Sequence, residues 1–334
     1  MTASKRETEL DILRLLSMLA VIAIHGAGGL GITISGHSFS LHAATVWCVP
    51  AFFMISGRFF LDPGRDVTLR KLLTKYVPHI AVAFVFWSAV YTVYYVVSGS
   101  YEGLNVFGIL TQFVEGPYHF WYLYVLIGLY LLTPFLRKIA ESRELLIYFT
   151  VLFVILNITF EYLIYVPKVG TVIEMFARKF GLDMVTGYVG YFMLGWFLCC
   201  EKDKITGKAE ITVYIVAVLL MLATVAADNL LPADPAYEDF VKQYMKPNVV
   251  FYSAALYLFF VKRVSRIDFS EGTKKFFWLC TELGFGIYCS HALVNELLGT
   301  WRIPGVIRVL LIYLICFGIT WLIRRIPLVG KKIT

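Results

Sequence analysis

Two ionisable side chains interrupt the apolar stretch LDILRLLSMLAVIAIHGAGGLG, Leu10 to Gly31: Arg14 near its start and His25 deep inside it. On a helix their separation of eleven residues returns to within about 20° of the same face, with a rise of about 16 Å. They therefore share a stripe, with Met18 and Val21 between them. An ionisable group turned toward hydrocarbon costs at least ~2.5–3.5 kcal/mol, so such residues in a span face a bundle interior or a wet cavity. Imidazole has the unperturbed pKa closest to neutrality and can take a proton from an attacking hydroxyl and pass it on, which suits acyl transfer. A guanidinium suits a different task, because its planar fork of donors recognises phosphate. The plainer reading is a histidine hydrogen-bonded between helices and an arginine snorkelling to lipid phosphate.

Such a stripe needs a membrane bundle to hold it. Of 334 residues, 59% are hydrophobic and only 16% charged, well below the roughly 25% charged of soluble chains. The expected fold class is all-α: one polytopic membrane domain over residues 1–334 with about ten spans, near 12–32, 42–61, 79–98, 118–136, 144–164, 185–200, 211–230, 248–261, 276–298 and 305–323. The net charge of +7 reports orientation rather than a nucleic-acid partner. Alternate segments carry 23 of the 30 Lys and Arg residues and the opposite set only seven, Lys168, Arg178, Lys179, Lys242, Lys246, Arg302 and Arg308. That asymmetry predicts both termini in the cytoplasm. The start, MTASKRETE, is too charged and too short for a cleavable signal, and the six cysteines lack metal or redox spacing. The segments 165–184 and 228–247, with Pro167, Pro232, Pro235 and Pro247, are long enough for lids or acceptor contacts as well as ordinary loops.

Arg14 and His25 with their spacing resemble the signature of the acyltransferase-3 family of integral membrane acyltransferases. FFMISGRFF (Phe52 to Phe60), HFWYLYVLIGLYLLTPFLR (His119 to Arg137), ELGFGIYCSHALV (Glu282 to Val294) and the closing RRIPLVGKK are similar to its other segments and stand in its order. The resemblance runs from residue 10 to residue 330. It implies an enzyme of the bacterial cytoplasmic membrane that moves an acyl group, usually acetyl, from cytosolic acyl-CoA to a hydroxyl of a cell-envelope carbohydrate or lipid-linked glycan. His25 would be general base or transient acyl relay, and Arg14 would bind donor phosphate or steady the thioester. Two departures stand out. LRKLLTKYVP has Leu72 where the family often has the first of two arginines, leaving Arg70 or Lys71 to supply charge beside Lys75. YVLIG after Trp121 lacks the acidic pair of the O-antigen-modifying branch, so the chain looks closer to the short stand-alone branch. Any second transfer step would fall to other cell-envelope biosynthesis proteins. Relatives assigned to transport make a carrier or exporter on the same bundle the alternative, and a sensing protein that keeps the fold without activity is a third.

Other constellations divide between site and scaffold. His119 and Trp121, at the outer end of the fourth span, would contact an acceptor sugar or belong to an interfacial aromatic belt. His291, Asn295 and Glu296 form a polar patch within the ninth apolar run, facing the same cavity as His25 or bonding between helices. Arg58, Arg65, Arg70, Lys71 and Lys75 would hold coenzyme A phosphates, or are basic simply because they lie inside. GAGGLG matches a dinucleotide fingerprint formally, but no βαβ unit surrounds it, and close helix packing beside His25 is the expected use. No metal site is expected, because His25, His119 and His291 lie on separate spans and their spacing gives no reason for them to meet. Asn157 lies inside the fifth span and should be unglycosylated.

Overall fold

The computed structural model describes residues 6–26, 31–34, 37–40, 42–163, 166, 168–180, 187–230, 243–299, 301, 303–327 and 329–334. A helix occupies each of the ten apolar segments. In chain order they are α1 (Thr8–Gly26), α2 (Cys48–Leu61), α3 (Leu69–Val97), α4 (Val106–Glu115), α5 (Trp121–Glu141), α6 (Arg143–Leu163), α7 (Val169–Phe180), α8 (Tyr188–Glu201), α9 (Gly207–Leu230), α10 (Pro247–Lys262), α11 (Glu271–Leu297), α12 (Gly305–Ile323) and the short α13 (Gly330–Ile333). The two helices between predicted spans are α4 and α7. Among the described residues the regular structure is helical apart from one short antiparallel hairpin, β1 (Gly31–Ile34) paired with β2 (His37–Ser40), in register Gly31 to Ser40 and Ile34 to His37. The hairpin corrects the expected first span to residue 32: residues 31–32 lie in β1, and the helix is described over Thr8–Gly26. Residues 27–30 of GAGGLG and residues 231–242 of the second long segment lie outside the described residues.

Local signals account for many boundaries. Asn105 opens α4 by accepting from the Gly108 N–H at 2.8 Å, and Ser270 opens α11 by accepting from the Thr273 N–H at 3.2 Å. Proline stands at the start of α10 (Pro247), where its missing N–H has no helical partner to lose. Glu9 and Asp11 lie in the first turn of α1, matching the helix dipole.

Among the described residues six helical stretches have the length and composition to cross a membrane: His42–Leu61, Leu69–Val97, Tyr118–Glu141, Arg143–Leu163, Gly207–Leu230 and Gly305–Ile323. Only 17% of the apolar window in α9 and 22% of that in α12 is buried, so their Val, Leu and Ile side chains require lipid around them. The remaining four segments, α1, α8, α10 and α11, are shorter or carry charge, and they form the inside of the bundle. Most residues of α8 and α10 are buried, and α1 packs against α2, α10, α11 and α12. A helix shielded by other helices needs neither full bilayer length nor a uniformly apolar surface.

The tightest crossing is between α2 and α8. A Cβ on Gly57 would stand 1.8 Å from the Phe192 carbonyl oxygen, and one on Gly195 would stand 2.1 Å from that of Met54. These are backbone atoms, which cannot turn aside, so small residues are what permit the contact. Gly195→Ala must push α8 off α2 and should destabilise by about 1–3 kcal/mol, read as a lowered Tm in detergent. Gly284→Ala, where a Cβ meets nothing within 4 Å, should leave Tm unchanged.

Candidate functional site

The stripe on α1 forms one wall of a cavity of about 300 Å³. Arg14, Met18, Val21 and His25 all line it, at the i, i+4, i+7 and i+11 positions of a single face. Opposite them stand Phe52 and Ser56 of α2, Trp121, Tyr122 and Tyr130 of α5, and Thr281, Phe285 and Tyr288 of α11. Aromatic side chains dominate the lining, with a few polar groups among them, which is the usual composition of a small-molecule site.

Three histidines converge at the His25 end. Ring centroids lie 5.4 Å apart for His25 and His291, 4.8 Å for His119 and His291, and 6.3 Å for His25 and His119. Tyr118 meets the His25 ring edge-on at 5.0 Å. No spacing along the chain foretells this meeting, since the histidines come from α1, the 3₁₀ turn Tyr118–Phe120 and α11. Among the described residues no group of three or more His, Cys, Asp or Glu is arranged to hold a metal ion.

The three imidazoles are held differently. The Nδ1 of His291 faces the Tyr288 carbonyl at 2.6 Å and must donate to it, which leaves Nε2 as an unprotonated acceptor without a hydrogen-bond partner among the described residues. His119 is buried with neither ring nitrogen well paired, and its carbonyl accepts from the Tyr288 hydroxyl. His25 and His119 both line the cavity and His291 does not; of the three, His25 is half-buried and the other two are buried. Of the other residues singled out in the sequence, Trp121 lines the cavity between the rings of Tyr188 at 5.1 Å and Tyr244 at 5.8 Å. Asn295 does not line it; its amide joins the His25 carbonyl to Arg308. Glu296 accepts from the Tyr95 hydroxyl at 2.7 Å.

Arg14 also borders a second cavity of about 300 Å³, lined by Arg6, Glu7, Leu10, Asp11, Ile55, Phe59 and Arg65. Arg14 thus stands between the two spaces. Its Nη1 lies 3.6 Å from Asp11, a buried carboxylate that also accepts from Arg6 Nε at 2.7 Å. Glu7 ties Arg58 at 2.6 Å to Arg65 at 3.3 Å, and Asp62 takes a second bond from Arg58 at 2.6 Å. Arg137 donates to the Phe60 and Asp62 carbonyls and so closes the end of α2.

The structure separates the basic residues proposed from sequence. Arg65 reaches the second cavity, whereas Arg58 lies on a smaller pocket beside Trp196 and Lys202. Arg70 and Lys75 are exposed, Lys71 pairs with Asp66, and none of the three lines either cavity that Arg14 borders. Arg6, not singled out in the sequence, does line the second. No local pattern distinguishes it from Lys5 beside it.

A family model for an acyltransferase domain matches residues 7–325, nearly the whole chain. None of the curated proteins and none of the solved structures compared matches it.

Burial pushes the Asp62 carboxyl up, but hydrogen bonds from Arg58 and the Gly64 N–H, with the charge of Arg65 nearby, overcome it and hold the group below the usual carboxylate range. The stabilisation is therefore complete above the unfolded value near 3.9 and lost as pH falls through the lower folded one. The Tm difference between wild type and Asp62→Asn should stay constant from about pH 8 to about pH 5 and shrink below about pH 4, as thermal unfolding in detergent would show. The matching segment, from the ion-paired Glu7 through α1 and its stripe to the end of α12, places the chain in the acyltransferase-3 family of membrane acyltransferases.

Proposed function

We propose that the protein is an O-acyltransferase of the bacterial cytoplasmic membrane, with ten spans and both termini in the cytoplasm, that moves an acetyl or similar short acyl group from cytosolic acyl-CoA to a hydroxyl of a cell-envelope glycan or lipid-linked carbohydrate. One observation carries this reading: Arg14 and His25 share a single cavity wall about 16 Å long. That separation is comparable to an extended phosphopantetheine arm, so a donor phosphate at Arg14 leaves its thioester near His25.

The second cavity supplies the other half of the donor site. Arg6, Arg14 and Arg65 face it against the carboxylates of Glu7 and Asp11, a surplus of positive charge suited to the phosphates of coenzyme A. Arg65 lies 4.5 Å from the Phe59 ring centroid, and an adenine could stack on that aromatic and guanidinium surface. Donor binding is accordingly assigned to Arg6, Arg14 and Arg65 ahead of Arg58, Arg70, Lys71 and Lys75.

In the reaction His25 takes the proton of the acceptor hydroxyl as its oxygen forms a bond to the thioester carbonyl carbon. The carbon–sulfur bond then breaks, and the departing thiolate receives that proton from the imidazolium. Acceptor contacts fall to Tyr118, beside His25, and to Trp121, whose indole offers a face to a sugar ring. His119 and His291 lie against His25 and shape the pocket in which the proton moves.

The test uses membranes with radiolabelled acetyl-CoA. Label should appear in envelope glycan, and His25→Ala should reduce its transfer by about 10²-fold or more at equal expression. Arg14→Gln should chiefly raise the donor KM. Unchanged transfer by His25→Ala would remove the assigned base, whereas solute flux without acetyl-CoA consumption would favour a carrier.

A further inference from the structure

We propose that Asn295 and Arg308 are positioning residues that set where the His25 imidazole stands in the cavity; the proposal rests on the reading of His25 as the base. His25 stands in the last turn of α1 (Thr8–Gly26), where helix carbonyls are commonly bonded from outside the helix. The Asn295 Nδ2 donates to it at 3.1 Å. Arg308 decides how that amide is turned. A guanidinium only donates, and Arg308 Nε lies 3.0 Å from Asn295 Oδ1. The amide oxygen therefore faces Arg308 and the amino group faces α1.

Arg308 is itself fixed. It sits in the first turn of α12 and donates through Nη2 to the carbonyls of Asn295 and Gly299, both at 3.0 Å, and through Nη1 to that of Trp301 at 3.1 Å. One side chain thus satisfies the carbonyl end of α11 and orients the group that holds the carbonyl end of α1. Gly26 completes the wedge: a Cβ there would stand 2.9 Å from Ile312 of α12. Neither Asn295 nor Arg308 lines the catalytic cavity, so they act through the backbone of His25 rather than on substrate. Arg308 is also one of only seven cations in the set of segments that is poor in Lys and Arg, and this network gives it a use.

Asn295→Asp is nearly isosteric and still accepts from Arg308, but it has no N–H for the His25 carbonyl. It should lower kcat by about tenfold or more, because misplacement of a catalytic group on the order of 1 Å has effects of that size. Donor KM should stay within about twofold and Tm should not fall, a split that a loss of fold would not produce. Arg308→Lys leaves Asn295 in place but removes the fork, and should show the same split where Asn295→Asp yields too little folded enzyme. His25→Ala is measured in parallel. Full kcat in both variants beside an inactive His25→Ala overturns the positioning proposal alone. A fully active His25→Ala overturns the reading beneath it instead.

Discussion

The structure depends on keeping two ionisable side chains of one helix out of hydrocarbon. A charged side chain such as that of Arg14 would cost at least ~2.5–3.5 kcal/mol facing lipid, and Arg14 and His25 lie on the same stripe, so rotating α1 to protect one protects both. The arrangement found is a central α1, bordered by α2, α10, α11 and α12, with the stripe turned to a cavity. From that one demand the division of labour follows. Behind that wall Gly57 and Gly195 let α2 and α8 cross closely, while α9 and α12 turn long apolar faces to lipid.

The demand is also met at the ends of the stripe. Asp11, Arg6, Glu7, Arg58, Asp62 and Arg65 form alternating ion pairs where α1 begins and α2 ends. Such pairs near a surface are individually worth little. Shared partners make them a network, and Glu7 between Arg58 and Arg65 links α1 to the end of α2 and the loop beyond it. At the far end no acid among the described residues partners His25, whose surroundings are aromatic rings and two further imidazoles.

What was legible in the sequence follows the range of the signal. The relation between Arg14 and His25 is a property of one helix, and eleven residues suffice to state it. All ten apolar segments are likewise local, and each is a helix. The meeting of His25 with His119 and His291 is not local, since it depends on how α1, α5 and α11 cross. Basic loop residues were the least legible. A positive-inside bias makes Arg70, Lys71 and Lys75 look like Arg6 and Arg65, and only the fold separates exposed cations from those facing a cavity. Of the glycine-rich run after His25, Gly26 packs closely against Ile312, as expected, and a hairpin that was not expected follows from Gly31. Hairpin formation needs alternating residues, and GITI with HSFS, four residues each, is too short for that period to stand out against an apolar run.

The placement of His25 in the last turn of α1 carries a consequence. A histidine in mid-helix has its backbone held by hydrogen bonds on both sides, but one in the last turn offers a free carbonyl. Its position is then set by whatever accepts the task of bonding that carbonyl, which here is Asn295. The imidazole itself meets the ring of Tyr118 edge-on, so the side chain faces the cavity while its carbonyl is held from α11 and, through Arg308, from α12.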